Sequence, residues 1–544
     1  MKPLAGSTNL VSVLSLTSSI AAHLADSAIQ ERCSNLIQTF RPDDKTTVLI
    51  SEFLPKGTNW TDAPLEDPSC AYYQVGAVFL ADSCRMRLNI STSDTSNVIA
   101  EIILPVDWQG KGRRTITLGN GGLGGCLPFQ DLAYTSSLGF AAVGTNNGHN
   151  GDTGKYFLNN PEVLKDFVYR SIPTGTEILK KAVKHFYNDT QNRSYYMGCS
   201  TGGRQGFKAA QDYPEQFDGI LAGAPAFDML SLEASTARMY SLLRRHNTSS
   251  FVTSDQWAAV HEIVLKQCDD IDGVLDGIIE DPMKCRPRIE ALLCEPGQTW
   301  SSNKCLMSAQ ISAIREAFEP TFGAKGEYLY PRMQPGAEMI FDYFLSFLGP
   351  SYLVDWFRYV VYNDTTWDFN RDWSLDAFED MRNQDAFGIS TWKPDLSNLQ
   401  KKGVKLLTYH GLMDGAISSE NSYRYYDHVS RSMGLPSNKL DEFYRFFPIS
   451  GLGHCGEGDG AWFIGGSAQP SQVLAATGQS YDQEHGVLMD LVRWVENGTA
   501  PERVRGRSIS ANGKQMVRDH CKFPLTNKYL GSGDANLETS WGCA

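Results

Sequence analysis

From about Asn97 onward, short apolar runs rich in β-branched and aromatic residues recur along the chain. Each runs into a glycine-bearing loop: NVIAEIILP, RRTITLGNGG, GFAAVGTNNG, SYYMGCS and DGILAGAPA. Continuous apolar runs of this length, closed by turn residues, are the pattern of strands covered on both faces. Between two of them, SIPTGTEILKKAVKHFY spaces its apolar residues as a helix packed on a sheet does. RQGFKAAQDY supplies another helix directly behind SYYMGCS. This alternation predicts βαβ units and a mostly parallel sheet, the α/β class.

After GAPAF, at about residue 228, the texture changes to long helical stretches such as TSDQWAAVHEIVLKQC, in which Thr253 and Gln256 are spaced for a capping box. GVKLLTYHGLMDG and EFYRFFPISGLGHCG then read as buried strands running into loops, with GVLMDLVRWVENG as a helix that covers them. The expected organisation is an α/β domain split over residues 23 to 227 and 403 to 544, interrupted by an inserted helical domain over 228 to 402. Residues 1 to 22 carry one early lysine, a short apolar core at Leu10 to Leu16 and small residues near Ala21, the pattern of a secretion signal. An amphipathic N-terminal helix is the alternative reading of that segment.

Charge and cysteine usage narrow the function classes. A formal net charge of -13 repels phosphate backbones, and no stripe of Lys and Arg interleaved with aromatics reverses it, so nucleic acid is not expected as a partner. No apolar run long enough to span a bilayer follows the N-terminus, so no membrane partner is expected either. The 12 cysteines are scattered, without a CxxC pair or zinc-ligand spacing, which favours disulfides. Glycosylation sequons at Asn59, Asn89, Asn188, Asn192, Asn247, Asn363 and Asn497 agree with a secretory route.

The stretch YYMGCSTGGRQG holds Gly198, Ser200 and Gly202 in the pattern G-x-S-x-G between a predicted strand and a predicted helix. Glycines there permit the sharp bend that lifts a serine hydroxyl out of the chain. A serine needs an imidazole base, and the base needs an orienting carboxylate. Each returning strand ends in one such residue: Asp414 in TYHGLMDG is the only acid between residues 403 and 419, and GLGHCG offers His454. Two rival histidines exist. His149, in NNGHNG, precedes the serine and is placed to line the pocket, and His410 ends its strand as a hydrogen-bonded core histidine does. Cys199 precedes Ser200 just as Cys455 follows His454, and the two can bridge only if Ser200 and His454 are neighbours in space. Such a bond would close a loop of about 256 residues, worth roughly 5 kcal/mol in the chain-entropy estimate, while clamping base beside nucleophile.

These junctions resemble the tannase and feruloyl esterase family, and the likeness runs from the Cys33 region to the C-terminus through GCSTGGRQG, GLMDG, GHCG and GNGGLGG. The resemblance implies a secreted serine esterase with an α/β-hydrolase catalytic domain, a large inserted lid, and Ser200, Asp414 and His454 as its triad. LGNGGLGGC formally matches a dinucleotide fingerprint at Gly119, Gly121 and Gly124, but Pro128 follows closely and no acid lies about 20 residues on. Exposed amides beside a nucleophile suit an oxyanion instead, one donated by the residue after the serine, Thr201. By resemblance the second donor is Gly122, with Gly121 as the alternative. A glycine loop serving only close packing is the other reading.

CDDIDGVLDGIIEDP, in the insert, does not have EF-hand spacing, and on its own it reads as a solvated acidic loop with two D-G turns. The resemblance implies a structural calcium there, held by the side chains of Asp269, Asp272 and Asp276 and the carbonyls of Val274 and Ile278. A Cys268 to Cys285 bond would brace the same loop, the order of the cysteines suggests Cys294 to Cys305 and Cys521 to Cys543 as further local pairs, and Cys33, Cys70, Cys84 and Cys126 are expected to bridge among themselves, with Cys33 to Cys84 and Cys70 to Cys126 preferred though spacing does not fix them. GNGGLGGC, TNNGHNG and YPRMQPGAE resemble the feruloyl esterase branch, which implies a small aromatic ester or a feruloylated plant polysaccharide as substrate. The alternatives are a tannase acting on galloyl esters, and a catalytically silent esterase fold used as a calcium-dependent binding module.

Overall fold

The computed structural model describes residues 27–61, 63–64, 67–244, 248–323, 325–478, 485–508 and 515–544. The expected secretion signal and the sequon at Asn247 lie outside these residues. The strands of the main sheet are β1 (Thr46–Leu54), β2 (Ser83–Ser91), β3 (Asn97–Pro105), β4 (Arg114–Leu118), β5 (Ala141–Thr145), β6 (Arg193–Cys199), β7 (Gly219–Gly223), β8 (Lys405–Gly411) and β9 (Tyr444–Ile449). They lie side by side as β1-β2-β3-β5-β4-β6-β7-β8-β9. From β5 to β9 every pairing is parallel, whereas β1, β2, β3 and β5 pair antiparallel.

Helices cover both faces, which is why the central strands are apolar throughout rather than alternating. The principal ones are α1 (Phe129–Ser137), α2 (Ser171–Tyr187), α3 (Thr201–Asp212), α4 (Met229–Leu243), α5 (Ser254–Cys268), α6 (Glu338–Tyr343), α7 (Gly349–Trp356), α8 (Glu420–Met433) and α9 (Val487–Asn497). Met197 and Leu221 pack with residues of α1 and α9 on one face, while Tyr196 and Ile220 pack with residues of α3 and α8 on the other. Neighbouring residues of one strand thus enter different cores, as the strand period requires.

Two strands of the main sheet, β1 and β2, precede the βαβ region predicted from Asn97. β2 places Cys84, Met86, Leu88 and Ile90 in the core, but its other face carries Arg85 and Arg87, which a sequence pattern assigns to solvent. The fold instead buries Arg85 against fully buried Glu101, with Arg87 donating to the same carboxylate at 2.9 Å. A buried charge is tolerated only when paired in this way.

The chain between β7 and β8 builds one apolar core of its own around α5 with Trp257 and Phe341, and a second around α4 and α7, with Trp356 and Phe357, that it shares with Leu123, Phe157 and Phe167 from before β7. The capping box at Thr253 and Gln256 forms in both directions, at 2.9 and 3.3 Å. The insert is not wholly helical, since Thr321–Phe322 and Tyr328–Tyr330 pair as a small antiparallel hairpin. Arg518, on the C-terminal strand Val517–Cys521, ties back to the insert through Glu280 and Asp276 and lies 3.6 Å above the Trp541 ring.

All the cysteines are joined, as Cys33–Cys84, Cys70–Cys126, Cys199–Cys455, Cys268–Cys285, Cys294–Cys305 and Cys521–Cys543. Among the described residues no helix is long and apolar enough to cross a membrane.

Candidate active site

Four loops at the carboxyl ends of neighbouring parallel strands converge on one point, the place where open α/β sheets present their ligand sites. β6 ends at Cys199, and Ser200 then takes φ 65° and ψ -124°, a backbone state unfavourable for any residue but glycine. The Ser200 N–H donates to the Gly223 carbonyl at 3.0 Å, which holds that bend in place. The helix after it must pass close behind β7: a Cβ on Gly203 would lie 2.3 Å from the Gly223 oxygen, so only glycine fits there.

The Ser200 hydroxyl stands 2.9 Å from His454 Nε2, and His454 Nδ1 stands 2.8 Å from Asp414 Oδ2. Asp414 follows β8 and His454 follows β9. Asp414 is almost fully buried, and its second oxygen accepts the N–H groups of Ala416 and Ile417 at 2.9 and 2.8 Å. Burial pushes its pKa up, but the His454 and His410 imidazoles and their hydrogen bonds reverse this, holding it well below the usual carboxylate range. An ionised acceptor on Nδ1 places the neutral imidazole's proton there and leaves Nε2 free to accept the serine proton. Cys199 and Cys455 form the expected bond, with Cα atoms 6.0 Å apart across a separation of 256 residues.

His410 is the core histidine that its place at the end of β8 suggests, but it also touches the site. Its Nε2 lies 3.1 Å from both Asp414 Oδ2 and the Ile417 carbonyl, and its Nδ1 lies 2.7 Å from Ser422 Oγ. The Asp414 carboxylate therefore receives two imidazoles, an arrangement that no local sequence signal marks. His149 packs among the rings of Phe157, Phe167 and Tyr156 behind the glycine loop, and burial depresses its pKa to about 4.

The glycine loop after β4 lies against α3. A Cβ on Gly202 would come within 3.0 Å of the Asn120 carbonyl, and Gln205 Oε1 accepts the Asn120 N–H at 3.0 Å. Gly122 has φ +54°, and its carbonyl accepts from Thr201 Oγ1 at 2.7 Å. Thr201 and Gly122 are thus in contact beside the nucleophile, while Gly121 faces Tyr73, whose hydroxyl would lie 2.5 Å from a Cβ there.

In the acidic loop of the insert, Asp269 accepts the N–H groups of Asp276 and Gly277 at 3.3 and 3.1 Å. Asp272 Oδ1 accepts from Val274 N–H at 2.9 Å, and Asp276 Oδ1 from Ile278 N–H at 3.1 Å. The three carboxylates do not gather as a cluster of side-chain ligands, and none of three or more His, Cys, Asp or Glu exists among the described residues. Asp276 is partly neutralised by Arg518, but Asp272 Oδ2 is buried with no hydrogen-bond donor. Burial, with Glu280 and Asp276 nearby, pushes the Asp272 pKa up to about 6.

A family model described as Tannase and feruloyl esterase matches residues 84–344 and 355–544. A protein named "Probable feruloyl esterase B-1" from Aspergillus flavus is 43% identical over 532 residues, 97% of this chain and 98% of the relative. The crystal structure of feruloyl esterase B from Aspergillus oryzae superposes with a TM-score of 0.86 at 42% identity, over 95% of this chain and all of that one. A tannin acyl hydrolase from Aspergillus niger has TM-score 0.73 at 19% identity, covering 95% of this chain and 94% of its own, a likeness of fold.

Proposed function

The chain belongs to the tannase and feruloyl esterase family and is a carboxylic ester hydrolase, and from that premise we propose that it cleaves hydroxycinnamoyl esters of plant cell-wall polysaccharide. The observation that carries the reading is the unbroken chain Ser200 to His454 to Asp414, set at strand ends and clamped by Cys199–Cys455. In this reading Ser200 Oγ attacks the ester carbonyl while His454 Nε2 takes its proton, and Asp414 stabilises the imidazolium that forms. The N–H groups of Thr201 and Gly122 hold the oxyanion. Collapse of the tetrahedral intermediate expels the alcohol, which receives the proton from His454. Water then attacks the acyl-enzyme by the same steps and frees the acid and Ser200.

The acyl preference follows the relatives named feruloyl esterase, which are far more similar to this chain than the tannin acyl hydrolase is. The expected result is that kcat/KM for methyl ferulate or methyl caffeate exceeds that for methyl gallate by about 10-fold or more. A panel of aromatic methyl esters measures it, and the opposite ranking would reassign the chain to the galloyl branch. An extracellular location is supported by the six disulfides.

A structural calcium on the acidic loop belongs to the same proposal. In this reading the ligands are the Asp269, Asp272 and Asp276 side chains, which would have to draw together, and the Val274 and Ile278 carbonyls; the support for it is the buried Asp272 Oδ2, which lacks a partner, and the hard oxygen chemistry of the loop. The ion would brace the loop beside Cys268–Cys285 and take no part in the reaction. Dialysis against EGTA is expected to lower Tm by about 3 °C or more, with recovery on adding Ca²⁺. Asp272→Asn should abolish the calcium-dependent increment. A wild-type melting curve indifferent to chelator and to Ca²⁺ would remove the ion from the description.

A further inference from the structure

We propose that Asp152 is a positioning residue for the oxyanion loop and that Tyr352, on insert helix α7, holds Asp152 in place, so that the insert sets the geometry of the oxyanion hole. The proposal rests on the esterase reading, in which Gly122 and Thr201 face the developing oxyanion.

The peptide between Gly122 and Leu123 is gripped on both edges. A trans peptide points its C=O and its N–H in opposite directions. Here the Gly122 carbonyl accepts from Thr201 Oγ1 at 2.7 Å, while the Leu123 N–H donates to Asp152 Oδ1 at 2.7 Å. The Gly124 N–H donates to the same carboxylate. Thr201 alone would fix one edge and leave the peptide free to rock about that bond; Asp152 removes this freedom.

Asp152 is itself held from two directions. Its own N–H donates to Ser69 Oγ at 2.8 Å, beside the Cys70–Cys126 bond that closes the far end of the glycine loop. Its Oδ2 accepts the Tyr352 hydroxyl at 2.6 Å across 200 residues of sequence. The same helix reaches the same loop again, because Asp355 Oδ2 accepts from Thr153 Oγ1 and from the Gly154 N–H at 2.9 and 2.8 Å. Leu123 meanwhile belongs to the apolar cluster that contains Leu353 and Trp356 of α7. Polar and apolar contacts thus make α7 and the oxyanion loop one mechanical unit.

The contact with Gly122 is direct. A Cβ there would lie 2.4 and 2.6 Å from the Asp152 oxygens and 2.8 Å from the Tyr352 hydroxyl. A carboxylate this near an oxyanion site opposes catalysis through its charge, which the Leu123, Gly124 and Tyr352 donors partly disperse while they fix its position. Loss of the Tyr352 hydroxyl would release the Asp152 carboxylate on its Oδ2 side and so loosen its hold on the Leu123 N–H.

The test uses the full chain with Tyr352→Phe and Asp152→Asn, a methyl hydroxycinnamate substrate, and an arylboronic acid whose tetrahedral adduct on Ser200 mimics the intermediate. Interactions realised only in the transition state lower kcat and leave KM. The expected outcome is a kcat reduced by about 10-fold or more in each variant, KM changed by less than about 3-fold, and boronate affinity weakened in parallel with kcat. Affinity for the product carboxylic acid should not move. Tyr352→Phe removes a single hydroxyl, and a serine-directed phosphonate counts the folded sites should Asp152→Asn fold poorly. An unchanged kcat per labelled site would overturn the proposal. So would a rise in KM at constant kcat, which would make Tyr352 a substrate contact. A wild-type enzyme that neither labels at Ser200 nor binds the boronate would instead overturn the esterase reading beneath it.

Discussion

Ser200→Ala is expected to lower kcat by about 10⁴-fold or more while leaving substrate affinity nearly unchanged. The expectation follows from geometry. The serine hydroxyl is the group aligned with His454 Nε2, at 2.9 Å, and His454 in turn is fixed by Asp414 at 2.8 Å. In the proposed mechanism alanine leaves behind a binding site with the Thr201 and Gly122 amides as oxyanion donors, enough for a residual rate above that in water but not for an acyl-enzyme. Steady-state kinetics on a methyl hydroxycinnamate, together with mass spectrometry of the protein quenched during turnover, measures both points. An acylated intermediate in wild type that disappears in the variant is the expected pattern. A variant retaining a tenth of wild-type kcat would mean that another residue attacks the ester.

Replacing both Cys199 and Cys455 by serine is expected to cost stability and catalysis together. The bond spans 256 residues, so the chain-entropy estimate assigns it roughly 5 kcal/mol. Its two sulfurs belong to the residues next to the nucleophile and next to the base, and Cys455 sits at φ +63°, in the left-handed region. Once released, the loop bearing His454 is freer to leave the serine, and misplacement of a base by about 1 Å is enough to cost on the order of 100-fold in rate. The control is Cys294–Cys305 in the insert, which closes only 11 residues and is worth about 3 kcal/mol in the same estimate. The first pair of serines should lower Tm and, at a temperature where the protein remains folded, kcat; the second should lower Tm alone. Equal kcat values for the two variants would reduce the first bond to a staple with no part in placing the base.

Much of this site was legible because its parts are announced locally. The bend around Ser200 needs glycines at fixed offsets, each triad candidate closes an apolar strand run, and a cysteine can join only to another cysteine, so the pair at 199 and 455 carries long-range information in a short motif. The helices Ser171–Tyr187 and Ser254–Cys268 were legible for a similar reason, since their burial repeats with the period of the backbone.

Arg85, His410 and the pair Asp152 and Tyr352 were not legible in this way. Each is a polar side chain whose role depends on a partner that no spacing rule predicts: Glu101 for Arg85, Asp414 for His410, and an insert helix 200 residues away for Asp152. Periodicity determined which residues enter the core, the sulfur-flanked motifs singled out Ser200 and His454, and the end of the strand run before Asp414 singled out the third candidate. Only the tertiary structure decided how the buried polar groups are paired, because a hydrogen bond inside a protein is specified by position in space rather than by residue type along the chain.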